Sequence, residues 1–328
     1  MRHLIAIWVS MLCWAALSPL PAAAQPANAP PFPTRPVRIV VPFGAGGIAD
    51  LTARTVAQQL AASLGQPVVI DNRPGAGGVV AAETVAKAEP DGHTLLLMSN
   101  GNAVSAGLFK TLPYDTVRDF VPVGMIGTFD LVIVAASGSK FGTLGEMLGW
   151  SRAHPGQLNL GSINIGSTQH LAAELFKSSA GISAQVVPFN GTPAVVSALR
   201  GAQIDAAVEI LGPMLPQIQS KAIHALAVTG ARRAPALPDV PTAQEAGVAG
   251  YQVSSWNALA APARTPPAVV ARLNRDLVAA LGAPDVVKRL AELNVAPAPG
   301  TPDQAAQMLA GEIRRWGGVI ARAGIPRQ

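Results

Sequence analysis

Short apolar runs alternate with longer amphipathic stretches along most of the chain. Residues 37–42 (VRIVVP) predict a buried strand, and apolar positions at helical spacing in residues 50–64 predict a helix after it. The same order repeats, with strands predicted at 68–70 and 94–98 and a helix at 79–88. Strands that alternate with helices are typical of a parallel sheet covered by helices on both faces.

A change of pattern divides the chain before its middle. In residues 121–136 (VPVGMIGTFDLVIVAA) two β-like runs follow each other without a helix, and a second alternating series begins after them. This series predicts strands at 158–160, 185–187, 204–208 and 224–229 and helices at 143–154, 168–179, 193–199 and 213–218. A strand at 253–260 and helices at 267–281, 284–293 and 302–323 complete the pattern.

These elements predict an α/β fold with two lobes. Crossover strands near residues 121–136 and 251–261 would join the lobes, and two such strands form a hinge. We expect lobe 1 at 36–132 and 254–328, lobe 2 as an insertion at 133–253, and an N-terminal lead at 25–35. Ligands of such sheets bind outside the carboxyl ends of the strands, so the cleft between the lobes is the expected site.

The first 24 residues have the plan of a secretory signal peptide. Arg2 supplies the positive start, residues 4–20 are mostly apolar, and residues 22–24 are alanines suited to a cleavage site. The apolar run contains Ser and Pro and is shorter than the roughly 20 residues that a spanning helix needs. We therefore expect export to the periplasm with cleavage after Ala24. Cleavage also removes the only cysteine, Cys13, which excludes disulfides and thiol chemistry in the mature chain.

The amino-acid composition and net charge of the chain exclude some classes of binding partner. The chain is 49% apolar and only 13% charged, which excludes disorder as its main state. Its 24 Lys and Arg residues and 19 Asp and Glu residues give a net charge of +5, and no basic run concentrates this charge. We therefore expect no nucleic-acid partner, while the weak positive charge is compatible with an anionic ligand.

Three glycine- or serine-rich turns each join a predicted strand to a predicted helix. The first contains Phe43, Gly44, Ala45, Gly46 and Gly47 and leads to Asp50, and the others lie at 72–78 and 161–168. Each turn places backbone N–H groups at a helix N-terminus, where the partial positive charge of the helix end stabilises an anion. In the third turn Ser167 and Thr168 are also natural N-caps, so capping alone is the alternative there. Asp50 is expected either to stabilise the start of its helix or to bind a ligand through water.

An enzyme is the main alternative from another functional class. Gly44, Gly46 and Ala49 satisfy the G-x-G-x-x-A pattern of dinucleotide-binding folds, and Asp71 lies near the place of a ribose-binding acid. This pattern favours an NAD(P)-dependent oxidoreductase. Two observations argue against an oxidoreductase. Export would bring the protein to a compartment poor in soluble nicotinamide cofactor, and dinucleotide-binding folds do not need the second glycine turn. The sequence has no G-x-S-x-G, H-E-x-x-H or Walker motif, so we expect no catalytic residue, no metal and no cofactor.

Several segments resemble the substrate-binding proteins of tripartite tricarboxylate transporters, also called the Bug family. They include 37–50 (VRIVVPFGAGGIAD), 68–97 (VVIDNRPGAGGVVAAETVAKAEPDGHTLLL), 158–177 (LNLGSINIGSTQHLAAELFK) and 237–248 (LPDVPTAQEAGV). The resemblance covers nearly the whole chain after the export segment. It implies a type II periplasmic binding fold whose two lobes close on a small organic acid or amino acid. It further implies a monomer that delivers this ligand to membrane permease subunits or, as an alternative, to a sensor kinase.

The resemblance also implies which residues face the ligand. In the family, backbone N–H groups of the loop after the first strand hold the carboxylate, and this loop is residues 43–50 here. The partner loop in lobe 2 corresponds to Ser162, Asn164, Ser167 and Thr168, and the segments of Asn72, Ser99, Asn190 and Asp205 resemble pocket-facing parts. Trp256, on the last predicted strand, is expected either as an aromatic wall of the cleft or as a core residue.

Three positions depart from the pattern of the family. Ala45 replaces a proline, Asn164 replaces a glycine, and Asn190 stands where a Lys or Arg is common. Without that positive side chain, a second ionic contact between the protein and its ligand is less expected. The substitution therefore argues against a dicarboxylate, which has two charges to hold.

Overall fold

The computed structural model describes residues 32–322 and 324–328. The predicted export segment and most of the lead therefore lie outside the described residues. The strands are β1 (Val37–Val41), β2 (Val68–Asn72), β3 (Thr94–Ser99), β4 (Phe120–Ala136), β5 (Leu158–Ile163), β6 (Ala184–Phe189), β7 (Ala206–Ile210), β8 (Ile223–Val228), β9 (Ser254–Pro262) and β10 (Val295–Pro297). The helices are α1 (Ile48–Leu64), α2 (Val79–Ala86), α3 (Asn100–Leu108), α4 (Leu144–Ala153), α5 (Thr168–Ala180), α6 (Thr192–Arg200), α7 (Leu211–Gln219), α8 (Pro267–Gly282), α9 (Pro284–Glu292) and α10 (Pro302–Arg322).

The strands form one long sheet in the order β2-β1-β3-β9-β4-β7-β5-β6, with β8 and β10 as additional partners of β4. At one end β1 pairs in parallel with β2 and β3, and β9 pairs antiparallel with β3. At the other end β5 pairs in parallel with β6 and β7. Each parallel group, with its helices, builds one lobe of a mixed α/β fold, as the alternating pattern predicted.

Strand β4 belongs to both lobes. Its first part, up to Asp130, pairs with β9, and its last part, from Leu131, pairs with β7 and β8. The 17-residue strand therefore carries the chain from lobe 1 into lobe 2 without a turn. The two β-like runs of the sequence are parts of this single element.

The return connection lies beside β4 and is tied to it by Thr229. The Thr229 hydroxyl is within hydrogen-bond distance of Leu131 and donates to the carbonyl of Val253 at 2.6 Å. The N–H of Val253 donates in turn to the carbonyl of Thr229 at 2.9 Å. Because Thr229 is fully buried and joins both connecting segments, it fixes the lobes' relative position at the crossover.

Some elements differ from the sequence-based prediction. Helix α3 was not predicted because its sequence, NGNAVSAGL, is rich in Gly and Asn, which are poor helix formers. A capping box compensates for this, since Ser99 accepts a hydrogen bond from the start of the helix and Asn102 accepts one from the N–H of Ser99. The short strand β10 was also not predicted. Within residues 32–322 and 324–328, no helix has both the length and the apolar character needed to cross a bilayer.

At Gly212 the backbone of α7 packs directly against the backbone at the end of α9. A Cβ atom at this position, in the first turn of α7, would overlap the carbonyl group of Leu293, at the end of α9. Helix α7 belongs to lobe 2 and α9 to lobe 1, so this contact also holds the lobes together close to β4.

We predict that Gly212→Ala lowers the free energy of unfolding by about 1–3 kcal/mol, because the added methyl group overpacks this contact. The matched control is Gly149→Ala, inside α4, where a Cβ atom meets nothing within 4 Å. That change should raise stability by about 0.5–1 kcal/mol through helix propensity. Urea unfolding followed by circular dichroism measures both. Equal effects of the two substitutions would contradict the packing argument.

Candidate functional site

A small cavity of about 30 Å³ lies between the lobes, where the carboxyl ends of β1, β3, β5 and β7 meet β4 and β9. This is room for about two water molecules, so a larger ligand enters only if the lobes move apart. The cavity is lined by Phe43, Gly47, Ile48, Ala49, Ser99, Phe129, Ile163, Thr168, Gln169, Thr192, Ile210, Ser255 and Asn257.

The lining combines apolar walls with neutral polar groups. Phe43, Phe129 and aliphatic side chains cover much of the surface, while the polar side chains are hydroxyls and amides. None of the thirteen lining residues carries a charge. An anion in this cavity would therefore be held by neutral dipoles rather than by a Lys or Arg side chain.

Three helices begin at the cavity wall. Their first residues, Ile48 of α1, Thr168 of α5 and Thr192 of α6, all line it. Within the described residues, the N–H groups of the first two residues of α1 and of α5 donate to no acceptor. These residues are Ile48, Ala49, Thr168 and Gln169. Free N–H groups and the positive ends of three helix dipoles make this wall electropositive, which suits a carboxylate.

The first glycine turn is held in place by a network around Asp50. The Asp50 carboxylate accepts a hydrogen bond from the N–H of Gly46 at 3.0 Å and forms an ion pair with Arg54 at 2.9 Å. Arg54 also donates to the amide oxygen of Asn72, and the Asn72 amide donates to the carbonyl of Phe43 at 3.0 Å. The network thus ties both ends of the turn to α1 and β2.

This network gives Asp50 a positioning role. Its carboxylate is buried, which by itself raises the pKa. The hydrogen bonds from Arg54 and Gly46 outweigh burial and hold the pKa of Asp50 below its usual range. Asp50 is therefore an anion that already uses the N–H of Gly46. The donors left for a ligand are the next N–H groups, at the start of α1.

The third turn caps α5 and touches lobe 1. The Ser167 hydroxyl accepts a hydrogen bond from the N–H of His170 at 3.1 Å, which is the capping role that the sequence suggested. The Thr168 hydroxyl lies 3.1 Å from the Ser255 hydroxyl of β9, so a hydrogen bond joins the two lobes at the cavity.

A close contact between two glycines also joins the lobes. A Cβ atom at Gly166 would lie 3.0 Å from the Cα of Gly77 and 3.2 Å from the ring of Phe109. Gly77 belongs to the second glycine turn, in lobe 1, and Gly166 to the third, in lobe 2. Only residues without a side chain allow the two turns to approach this closely.

One carboxyl group lies directly behind the cavity wall. Glu209, on β7, is fully buried, and its Oε2 accepts hydrogen bonds from Gln169, Thr192 and the N–H of Ile210 at 3.1–3.2 Å. All three donors are lining residues. Burial raises the pKa of Glu209 to about 7, although these three hydrogen bonds oppose the shift.

The structure brings some of the predicted site residues to the cavity. Phe43, Gly47, Ser99 and Thr168 line it directly. Asp50, Asn72 and Ser167 support the turns that line it, as described above. Gly44, Ala45, Gly46, Ser162, Asn164 and Asn190 are in or beside these turns but do not line the cavity. Their predicted contact with a ligand stays a prediction.

Two of the predicted residues lie elsewhere. Asp205 precedes β7, at the end of the strand opposite to the cavity, where it accepts a hydrogen bond from the N–H of Asn159 and lies 3.6 Å from Lys140. Trp256 is buried on β9 between Ser255 and Asn257. Since strand side chains alternate between faces, the two polar neighbours reach the cavity and Trp256 points away from it.

Several lining residues were not predicted. Thr192 follows Gly191 at the start of α6, in a fourth turn of the same strand-to-helix type, which was not predicted as part of the site. Ser255 and Asn257 are polar residues at alternate positions of an otherwise apolar strand, and Glu209 is the only charged residue of the buried run AAVEI. Buried polar residues of this kind are the signal that could have revealed them.

The geometry does not fit a dinucleotide site at the first turn. Asp71, the suggested ribose-binding acid, is paired with Arg38 at 3.3 Å and with Arg73 at 2.9 Å. The N–H of Gly46 is occupied by Asp50. One oxygen of this acid, Oδ2, and the N–H of Gly46 are therefore already engaged within the protein.

Comparison with known proteins points to one family. A family model described as tripartite tricarboxylate transporter family receptor matches residues 52–325. Protein BugT of Bordetella pertussis (strain Tohama I) is 37% identical over 303 residues, which cover 92% of this chain and 93% of BugT.

Two solved structures share the fold over nearly the whole chain. R. palustris Rpa4515, solved with adipate, has 35% sequence identity and a TM-score of 0.87, covering 90% of this chain and 99% of that one. MatC (Rpa3494) from Rhodopseudomonas palustris, solved with bound malate, has 35% identity and a TM-score of 0.84, covering 88% of this chain and 100% of the other.

We predict that Glu209 makes the stability of the protein depend on pH. The folded state raises its pKa from 4.5 to about 7, so the folded protein binds this proton more tightly than the unfolded chain. The resulting stability is complete below the unfolded pKa and is lost as the pH rises through the folded pKa. Relative to Glu209→Gln, the wild type should lose about 3 kcal/mol of unfolding free energy between pH 5 and 8. Urea unfolding at a series of pH values measures this difference. A constant difference would show that Glu209 does not titrate in this range.

Proposed function

This chain belongs to the tripartite tricarboxylate transporter receptor family, as its motifs suggested, and we propose that it captures a small carboxylate in the cavity between its lobes. The members of this family are solute-binding receptors, so the chain is a receptor rather than an enzyme. The oxidoreductase alternative is thereby set aside.

The observation that carries the proposal is the convergence of three helix N-termini on a cavity without charged side chains. Four N–H groups there lack an acceptor within the described part of the chain. A buried carboxylate would supply the acceptors, and the helix dipoles would stabilise its charge. Binding by neutral donors also avoids the cost of burying an unpaired cation while the site is empty.

The walls of the cavity favour a ligand with a short carbon chain. Phe43, Phe129 and Ile210 offer apolar surface to methylene groups, while Asn257 and Thr192 offer polar groups to hydroxyls or a second polar end. Two similar receptors were solved with adipate and with malate, which are small aliphatic acids. We propose an acid of this size class for the present chain.

We also propose where the protein is exported to and where it delivers its ligand. Export with cleavage after Ala24 would bring the receptor to the periplasm as a monomer. The closed lobes would then deliver the acid to the permease subunits of a tripartite tricarboxylate transporter. The membership of the family and the export-like segment at residues 1–24 support this route.

Thermal-shift measurements with a panel of acids test the proposal. Adipate, malate, monocarboxylates, aromatic acids and amino acids are compared with the matching alcohols and amides as neutral controls. A ligand present at 100 times its Kd stabilises the folded state by about 2.7 kcal/mol, which should raise Tm by several degrees. The neutral controls should not raise Tm. If no acid raises Tm, the assignment of carboxylate binding is wrong.

We predict that closure depends on the contact between Gly77 and Gly166. Gly166→Ala should weaken acid binding about tenfold or more, because the methyl group would separate the two turns that meet when the lobes are closed. Isothermal titration with an acid that the panel identifies measures this effect.

Gly181→Ala is the matched control for backbone strain. Gly181 also has a left-handed conformation (φ 61°, against 85° at Gly166), but a Cβ atom there meets nothing within 4 Å. Gly181→Ala should cost roughly 1–2 kcal/mol of stability through strain alone. Gly166→Ala should cost at least as much, because its methyl group also meets Gly77 and Phe109, and only Gly166→Ala should change affinity. Equal affinities of the two variants would contradict a role of this contact in closure.

A further inference from the structure

Glu209 is a buried acid whose two oxygens differ. Oε2 accepts hydrogen bonds from Gln169, Thr192 and the N–H of Ile210, whereas Oε1 is buried and has no hydrogen-bond partner within the described residues. A proton on Oε1 would displace none of these donors. The arrangement therefore accepts the neutral carboxylic acid without breaking a hydrogen bond.

Within the described residues, no cation balances a negative charge on Glu209. The elements packed against β7 are β4, β5, α5, α6 and α7. Their titratable or charged side chains are Asp130, His170, Glu174, Lys177 and Arg200. None of these groups contributes to the pKa shift of Glu209, which follows from burial and is opposed only by its three hydrogen bonds. On the other side of the cavity, the carboxylate of Asp50 is already paired with Arg54.

A bound anion would lie close to Glu209. Two of the donors to Glu209, Gln169 and Thr192, stand at the first turns of α5 and α6 and line the cavity themselves. A ligand carboxylate at these helix ends and the carboxyl group of Glu209 would be separated by a single layer of side chains. Two negative charges at such a distance in a buried site repel each other strongly, so the site holds both groups only if one is neutral.

We propose that the receptor takes up a proton together with its acid ligand and that Glu209 holds this proton. This inference rests on the proposed function, because it requires an anion in the cavity. It adds a second ligand, the proton, to the site. The ligand enters as a carboxylate, and Glu209 becomes a neutral carboxylic acid while the lobes are closed. No bond of the ligand is made or broken.

Isothermal titration calorimetry measures how many protons the receptor takes up when it binds its ligand. Adipate and malate are titrated into the wild type at pH 7.5 in phosphate and in Tris, whose ionisation enthalpies differ, so the difference in binding enthalpy gives the number of protons taken up. Between about pH 6.5 and 8.5 both acids are ionised, so changes belong to the protein. We expect uptake of about half a proton or more, and an affinity that falls by up to about tenfold per pH unit above pH 7.

Two variants assign the proton to its residue. Glu209→Gln keeps the shape of the side chain without its titration and should show no uptake and a flat pH profile. Asp276→Asn removes another buried carboxylate, which pairs with Arg272 on α8 away from the cavity, and should behave as the wild type does. Should Glu209→Gln fail to fold, Glu209→Met, which fills a similar volume without a titrating group, replaces it and should likewise show no uptake.

The outcomes separate this inference from the proposed function. Binding without proton uptake by the wild type, or unchanged uptake in Glu209→Gln, would overturn the role of Glu209 and leave acid binding intact. Failure of adipate, malate and every acid of the thermal-shift panel to bind would instead contradict the proposed function, and this inference with it.

Discussion

The cavity depends on one constraint, which is that several helices begin at the same point in space. A helix N-terminus is electropositive only over its first turn, so the free N–H groups of α1 and α5 cooperate only if both helices start within a few ångströms of one anion. Parallel strands provide this within each lobe, because each strand delivers the next helix at the same sheet edge. Between the lobes it is provided by β4 and by Thr229, which fixes the two connections side by side.

The same constraint explains the buried polar residues around the cavity. A glycine-rich turn is flexible in isolation, and an anion site gains affinity when its donors are already in place. Asp50, Arg54 and Asn72 supply this order for the first turn by fixing Gly46 and Phe43 from outside the cavity. Their charges cancel within the pair of Asp50 and Arg54. The turn is therefore rigid without adding net charge to the site.

The sequence could predict the fold well and the site only in part. Alternating strands and helices, and the glycine turns, are local patterns, and they located β1, α1, β5 and α5 within a few residues. Because of these glycine turns, Phe43, Gly47 and Thr168 were predicted as site residues. Which face of β9 reaches the cavity depends on its pairing with β3 and β4. The sequence therefore left Trp256 open between the cavity wall and the core, and it did not predict Ser255 and Asn257, which line the cavity. Asp205 was misplaced for a related reason, because β7 begins one residue after it and runs toward the cavity from there.

Glu209 shows why an uncharged lining matters for a receptor that must release its ligand. A Lys or Arg in the cavity would hold an acid tightly, and the empty site would contain an unpaired buried charge. Neutral dipoles stabilise the anion less, and a nearby carboxyl group weakens binding further as it ionises. Gln169 and Thr192 line the cavity and also donate hydrogen bonds to Glu209. Any shift of these two side chains toward a ligand therefore also alters the hydrogen bonds of Glu209. Ligand, helix ends and Glu209 therefore form a single electrostatic unit whose affinity is set by the balance between them.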